Sequence, residues 1–173
     1  MATDLSTTEY AVLGVLAEGP NHGFAISKRL AADTDIGRIL TVRRPLVYRA
    51  LDRLVAAGMA QHIATEKGES GPQRVVHEIA GGGRKRLSAW LDEPVDHVRE
   101  IRIEFLLKLA IARRLDRSPL SLIRVQRKAL APTFDALDGP TPGDHVELWR
   151  RHNAAAAAAY LIALEKRYTG VPG

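Results

Sequence analysis

Arg43, Arg44, Tyr48 and Arg49 crowd into seven consecutive positions, and their chemistry is that of contact with a polyanion. A guanidinium forks onto a phosphate or onto the acceptor edge of guanine, and a tyrosine hydroxyl reaches a phosphate or a base edge. Between Arg38 and Arg53 five arginines stand against one acid, Asp52. The residues between them say what would hold these side chains outward. Val47, Leu51, Leu54 and Val55 recur at helical spacing and make one apolar face, while Arg44, Tyr48, Arg49, Asp52, Arg53 and Ala56 fall on the other. Pro45 suits the first helical position, and Gly58 followed by Met59 suits a left-handed C-terminal cap. The spacing thus predicts an amphipathic helix over 45–57 with a basic outer face. An ordinary solvated helix also carries charge outward, so this helix alone does not name a partner.

Other chemistries find little support. The 173 residues contain no cysteine, which excludes disulfides, zinc–thiolate sites and thiol catalysis. The six histidines (His22, His62, His77, His97, His145, His152) show no metal-ligand spacing, so no metal or cofactor is expected. Ser70-Gly71 and the Gly81–Gly83 run lack the context of a phosphate loop, and no set of nucleophile, base and orienting group is legible. The expectation is a protein that is not an enzyme. No run of 18 apolar residues occurs, and the first ten residues lack the basic and apolar regions of a signal peptide, so a cytoplasmic protein without membrane association is expected. The formal net charge is +5, yet residues 1–80 hold nine basic and nine acidic side chains. Local clustering around Arg38–Arg53, rather than global charge, argues for an anionic partner.

The flanking elements follow in order. Ser6 with Glu9 forms a capping box, and Leu5 and Tyr10 are placed as a hydrophobic staple, so a first helix runs to about Glu18. Its interior is apolar on more than one side, which implies burial against two neighbours. Gly19-Pro20 breaks it, and a second helix spans 23–32 with Phe24, Ile26 and Leu30 directed inward. Met59–Thr65 and Arg74–Ala80 read as strands of a hairpin with a long polar tip between them. Three helices followed by a hairpin is the order of a winged helix-turn-helix.

In that order, the stretches LSTTEYAVLGVLAEGPNHGFAISKRL, PLVYRALDRLVAAGMA and GPQRVVHEIAGGGRKRLSAWL resemble the PadR family of bacterial transcriptional regulators. His22-Gly23-Phe24, the Val47–Leu51 core and Gly58 carry the likeness, which covers residues 1–91. The resemblance implies a mainly α protein: a winged helix-turn-helix DNA-binding domain over 1–91 and a helical dimerisation domain over 92–173, the latter a possible effector-binding domain. Double-stranded DNA would meet Arg43, Arg44, Tyr48 and Arg49 from the third helix, Lys67, Gln73 and Arg74 from the wing, and Lys28 near the second helix.

The second half is helical by pattern. A short helix over 84–91 ends before Pro94, a multiply buried helix spans 98–115, and another opens at Pro119 and runs to about Leu137. The last begins at Thr141-Pro142 and reaches Tyr168. Val146, Trp149, Asn153, Ala156, Tyr160, Leu164 and Tyr168 form one stripe along it, and the alanine run 154–159 allows close approach of another helix. A rod of that length has little to bury against in so small a chain, which points to a second copy of the chain; high helix propensity alone would also account for the alanines. Trp90, Phe134, Trp149 and Tyr160 are candidates to line a cavity between the C-terminal helices of two subunits that takes a small aromatic or cationic effector, although aromatics at helix contacts are more often plain core. The reading is a homodimeric repressor on an inverted repeat, released by a small ligand. The different-class alternative is a winged-helix protein-interaction module without DNA binding, which the neutral balance of residues 1–80 keeps open.

Overall fold

In the computed structural model, residues 5–68, 71–139 and 143–170 are described, with the side chains of 66–68, 71, 72 and 138 set aside. The chain divides into two units: Met1–Leu91 with Leu107–Arg117, and Asp92–Leu106 with Ser118–Gly173. The sequence-based division at 91/92 leaves 107–117 in the second domain, whereas these residues pack with the first. Leu107 and Ile111 are buried in the same core as Leu13 and Leu16, which the helical pattern alone could not reveal.

The first unit is organised on α1 (Thr7–Ala17), whose capping box forms as the sequence implies. The Ser6 hydroxyl accepts from the Glu9 amide at 3.3 Å, and the Glu9 carboxylate accepts from the Ser6 amide at 2.7 Å. Tyr10, Ala11, Val12, Leu13, Val15 and Leu16 are all buried, so the helix is enclosed rather than one-sided. A short strand β1 (Asn21–His22) leads into α2 (Gly23–Arg29), capped by the His22 ring, whose Nδ1 accepts from the Ala25 amide at 3.1 Å. This helix stops three residues short of the expected Ala32 because Thr34 turns the chain back, its hydroxyl donating to the Arg29 and Ala31 carbonyls.

Helix α3 (Arg44–Ala56) buries Val47, Ala50, Leu51 and Leu54. Arg43 takes the N-cap and Pro45 the second helical position, one later than expected. Val55, assigned inward from the sequence, is 38% exposed, and Ala50 fills the inner face instead. At the far end Gly58 adopts φ +67°. The Met59 amide reaches the Leu54 carbonyl at 2.8 Å and the Gly58 amide reaches Val55 at 3.0 Å, which is the paired bonding of a Schellman cap.

The hairpin strands are longer than the pattern suggests. β2 (Ala60–Gly68) and β3 (Gly71–Ile79) pair antiparallel and absorb most of the polar connector, with irregularities between His62 and Ala64 and between Glu66 and Gly68. β1 adds to β3 in the order β1-β3-β2, with Asn21 opposite His77 and His22 opposite Val76. Helix α4 (Gly81–Asp92) begins three residues before the expected Arg84. A β-carbon on Gly83 would lie 2.1 Å from the Met59 carbonyl oxygen, so the glycine permits this close packing of backbones. Trp90 stacks on Tyr10 with centroids 4.0 Å apart, and the buried Lys108 ammonium lies 4.8 Å from the indole centroid.

In the second unit, α5 (Val98–Glu100) passes into a π-helical turn, Ile101–Phe105, where a single α-helix was expected; α6 (Leu106–Arg114) follows, and the division between units falls after Leu106. The expected helix over 119–137 is three pieces, α7 (Leu120–Ala129), α8 (Ala131–Asp135) and a 3-10 turn, Ala136–Asp138. Pro132 has no amide to continue α7. The buried Gln126 side chain accepts from the Val95 amide at 2.7 Å and donates to its carbonyl at 2.8 Å. Helix α9 (His145–Thr169) is capped by Asp144, which accepts from the amides of Val146 and Glu147; the Thr141-Pro142 start lies outside the described residues. Its Ala154, Ala157 and Leu161 are buried.

Glu9 is nearly fully buried, and its other carboxylate oxygen pairs with Arg53 on α3 at 3.0 Å. Glu9→Ala removes the reciprocal cap and this tie together. It is expected to cost about 1–3 kcal/mol, read as a lower urea midpoint at unchanged slope. An unaltered midpoint would show the cap to be idle.

Candidate nucleic-acid interface

Burial of one side of α3 turns Arg44, Tyr48, Arg49 and Asp52 to solvent. Two constraints bring α2 and the wing beside this face. The β1–β3 pairing ties the start of α2 to the returning strand, and α2 packs on α3. Between the three elements lies a groove of about 380 Å3, whose polar and aromatic lining includes Phe24, Arg44, Tyr48, Asp52, Gln73 and Arg74. His22, Gly23 and His77 also border it.

Phe24 is the centre of this groove. Lys28 Nζ lies 4.7 Å from its ring centroid, the Arg44 guanidinium carbon 5.0 Å and that of Arg74 6.0 Å. Arg44 also lies 5.8 Å from the Tyr48 centroid. The sequence pattern directs Phe24 inward with Ile26 and Leu30. Those two are buried, but Phe24 is half-buried, with its ring under the basic face. The available signal was Lys28, four residues beyond Phe24 and hence on the same helical side. Gly23 leaves room for the Tyr48 ring, since a β-carbon there would meet it at 2.8 Å.

The other expected contact residues divide. Arg43 and Arg49 are exposed outside the groove, and Gln73 and Arg74 stand exposed on β3. The Lys67 side chain lies outside the described residues. Arg53, counted in the basic cluster, is engaged with Glu9. At the floor, His77 is held below its ordinary pKa by burial first and by the neighbouring His62 second.

Within one chain the expected effector residues Phe134, Trp149 and Tyr160 border different grooves, those of Trp149 and Tyr160 sharing Val98, Arg102 and Asn153. Trp90 is core of the first unit. In the second unit Phe134 borders a groove with Arg124, Arg127 and Glu165, and Tyr160 another with Ile101 and Asn153. Trp149 lines a third of about 480 Å3 with Arg99, Arg102 and Arg150. Burial, then Tyr168, pushes the Tyr160 hydroxyl up, and the bonds from Arg127 and Arg124 hold Glu165 below the usual carboxylate range. Along the α9 stripe Val146, Trp149, Ala156 and Tyr168 are exposed, and Asn153, Tyr160 and Leu164 are half-buried. Among the described residues no helix is long and apolar enough to cross a membrane, and no cluster of potential metal ligands occurs.

Three helices, a two-stranded wing and a basic outer face on the third helix define a winged-helix DNA-binding fold. Residues 12–89 match the family model described as the transcriptional regulator PadR-like family, and this segment is similar to that family. A crystal structure of Bacillus subtilis PadR in complex with operator DNA is similar in fold, with a TM-score of 0.51 at 16% identity over 97% of each chain. The crystal structure of smu.1604c from Streptococcus mutans aligns with a TM-score of 0.46 at 18% identity, over 94% of this chain and 96% of its own. Bacillus subtilis PadR in complex with p-coumaric acid gives 0.41 at 18% identity over the same shares. No curated protein sequence matches the chain.

Gly23→Ala displaces the Tyr48 ring, which is 41% exposed and free to swing outward. The expected result is a stability loss within about 1.5 kcal/mol alongside weaker duplex binding. A variant that binds duplex DNA as the parent does would remove Tyr48 placement from the interface.

Proposed function

We propose that the protein is a homodimeric, sequence-specific repressor that binds an inverted repeat and is released by a small ligand. The observation that carries this reading is the outward basic face, on which α2, α3 and β3 each contribute a cation around Phe24. Arg44 and Tyr48 would enter the major groove, with Arg43 and Arg49 beside them; Gln73, Arg74 and Lys67 of the wing and Lys28 of α2 would meet the backbone. The winged-helix domain would serve DNA and the helical domain dimerisation.

Pairing would place two recognition helices about 34 Å apart, one duplex turn, so that two weak half-sites act together. Val146, Trp149, Asn153, Ala156, Tyr160 and Leu164 are the proposed dimer surface, and the exposed part of that stripe supports a second copy as its cover. The groove beside Trp149, bordered by Asp96 as well as by Arg99, Arg102 and Arg150, is the proposed place for a small aromatic effector.

Changing Arg44 and Arg49 to Ala together is expected to weaken binding to a promoter duplex from upstream of the protein's own gene by more than about tenfold. Planar aromatic compounds added to the parent complex are expected to release the duplex in the same anisotropy assay. Unchanged affinity in the double variant would instead favour a protein-interaction module, which Asp52 at this face and the neutral first 80 residues leave as the competing reading. Light scattering at micromolar concentration is expected to give the mass of two chains. A one-chain mass would end the paired half-site mechanism.

A further inference from the structure

We propose that the Phe24 ring is a platform that gathers Lys28, Arg44 and Arg74 into one phosphate-binding cluster, so that a single stretch of duplex backbone is held at once by α2, α3 and the wing. This rests on the DNA-binding reading above. The three cationic groups lie 4.7, 5.0 and 6.0 Å from one ring centroid. Like charges gathered around one ring repel, and a negative partner among them lowers that repulsion. The electron-rich face of a benzene ring supplies part of that. Asp52, the acid bordering the groove, supplies a further part, and an arriving phosphate supplies the rest.

The placement is built by the fold, since each cation comes from a different element. Lys28 follows Phe24 by one helical turn. Arg44 opens α3, where the helix end favours an anion. Arg74 is brought in because β3 pairs with the two residues that lead into α2. Phe24 therefore carries no charge of its own, yet it sets how many cations reach one phosphate. It is a positioning residue for the interface rather than a contact to bases.

The test uses the full chain and a labelled random-sequence duplex of about 30 base pairs, titrated by anisotropy across a salt series. Phe24→Leu and Phe24→Met keep an apolar side chain but remove the ring. Both are expected to weaken binding about three- to tenfold at moderate salt and to flatten the log–log salt slope by about one. Phe24→Tyr, which restores a ring, is expected to keep both values. Adding Phe24→Leu to Arg74→Ala is expected to weaken binding less than it does in the parent, because the two act through one cluster. Circular dichroism identifies any variant that fails to fold, and the other ring-less variant then decides. If the folded ring-less variants keep the parent slope and affinity while Arg44→Ala/Arg49→Ala loses affinity, the platform is wrong and the DNA reading stands. If Arg44→Ala/Arg49→Ala also binds as the parent does, the DNA reading falls and this proposal falls with it.

Discussion

The rotation of α3 about its own axis is the constraint on which the interface depends. Val47, Ala50, Leu51 and Leu54 must be buried against α1 and its neighbours, and burying each large aliphatic side chain is worth about 1.5–3 kcal/mol. Turning the helix by half a revolution would expose three of them and drive Arg44, Tyr48 and Arg49 into apolar surroundings. No surface contact competes with that penalty. The orientation of the polar side chains is thus a consequence of core packing, and the chemistry of the outer face is free to be chosen for a partner.

That freedom shows at the start of α3. Arg43 takes the N-cap without a side-chain cap bond, Arg44 follows it, and the first turn holds no acid. Helix starts favour acceptors and negative charge, so two cations there oppose the helix dipole. Contrast α1 and α9, where Ser6 with Glu9 and Asp144 with Glu147 satisfy the same requirement. A stability-optimised surface would treat the three helix starts alike. The start of α7 likewise has no side-chain cap bond and no acid in its first turn; what sets the start of α3 apart is its place beside the groove, where an incoming anion would relieve both the dipole and the repulsion among Arg44, Lys28 and Arg74.

How far these features were legible in the sequence depends on whether local rules decide them. The Ser6–Glu9 box and the Gly58 cap are short-range bonding problems with few solutions, and both form as the residues imply. The burial of Val47, Leu51 and Leu54 follows from helical period, while Val55 lies at the edge of the stripe, where period does not settle exposure. Long-range pairing was hidden. The two-residue strand Asn21–His22 exists because β3 passes beside it, and its partners are more than fifty positions away. Helical spacing places Phe24 in the core for the same reason: an aromatic at that spacing is usually core, and only the arrival of Arg74 and Arg44 gives its ring another use. Trp90 erred in the opposite direction, its indole being stacked on Tyr10 inside the first unit rather than open to a ligand.

The neutral charge balance of the first 80 residues looks like an argument against a polyanionic partner until the acids are located. Glu9 pairs with Arg53, while Glu18 pairs with Arg29 and with Arg114, and Asp35 also pairs with Arg114. These acids are taken up by arginines that do not border the groove. Among the described ion pairs none engages Lys28, Arg43, Arg44, Arg49 or Arg74, so their positive charge is not cancelled by contact. Field at a surface is set by the charges within about a Debye length of it, roughly 8–10 Å at ordinary ionic strength, and not by the sum over the chain. A net charge of zero is therefore compatible with a positive face, because Glu9, Glu18 and Asp35 are paired with arginines away from the groove, and Asp52 is the acid that borders it.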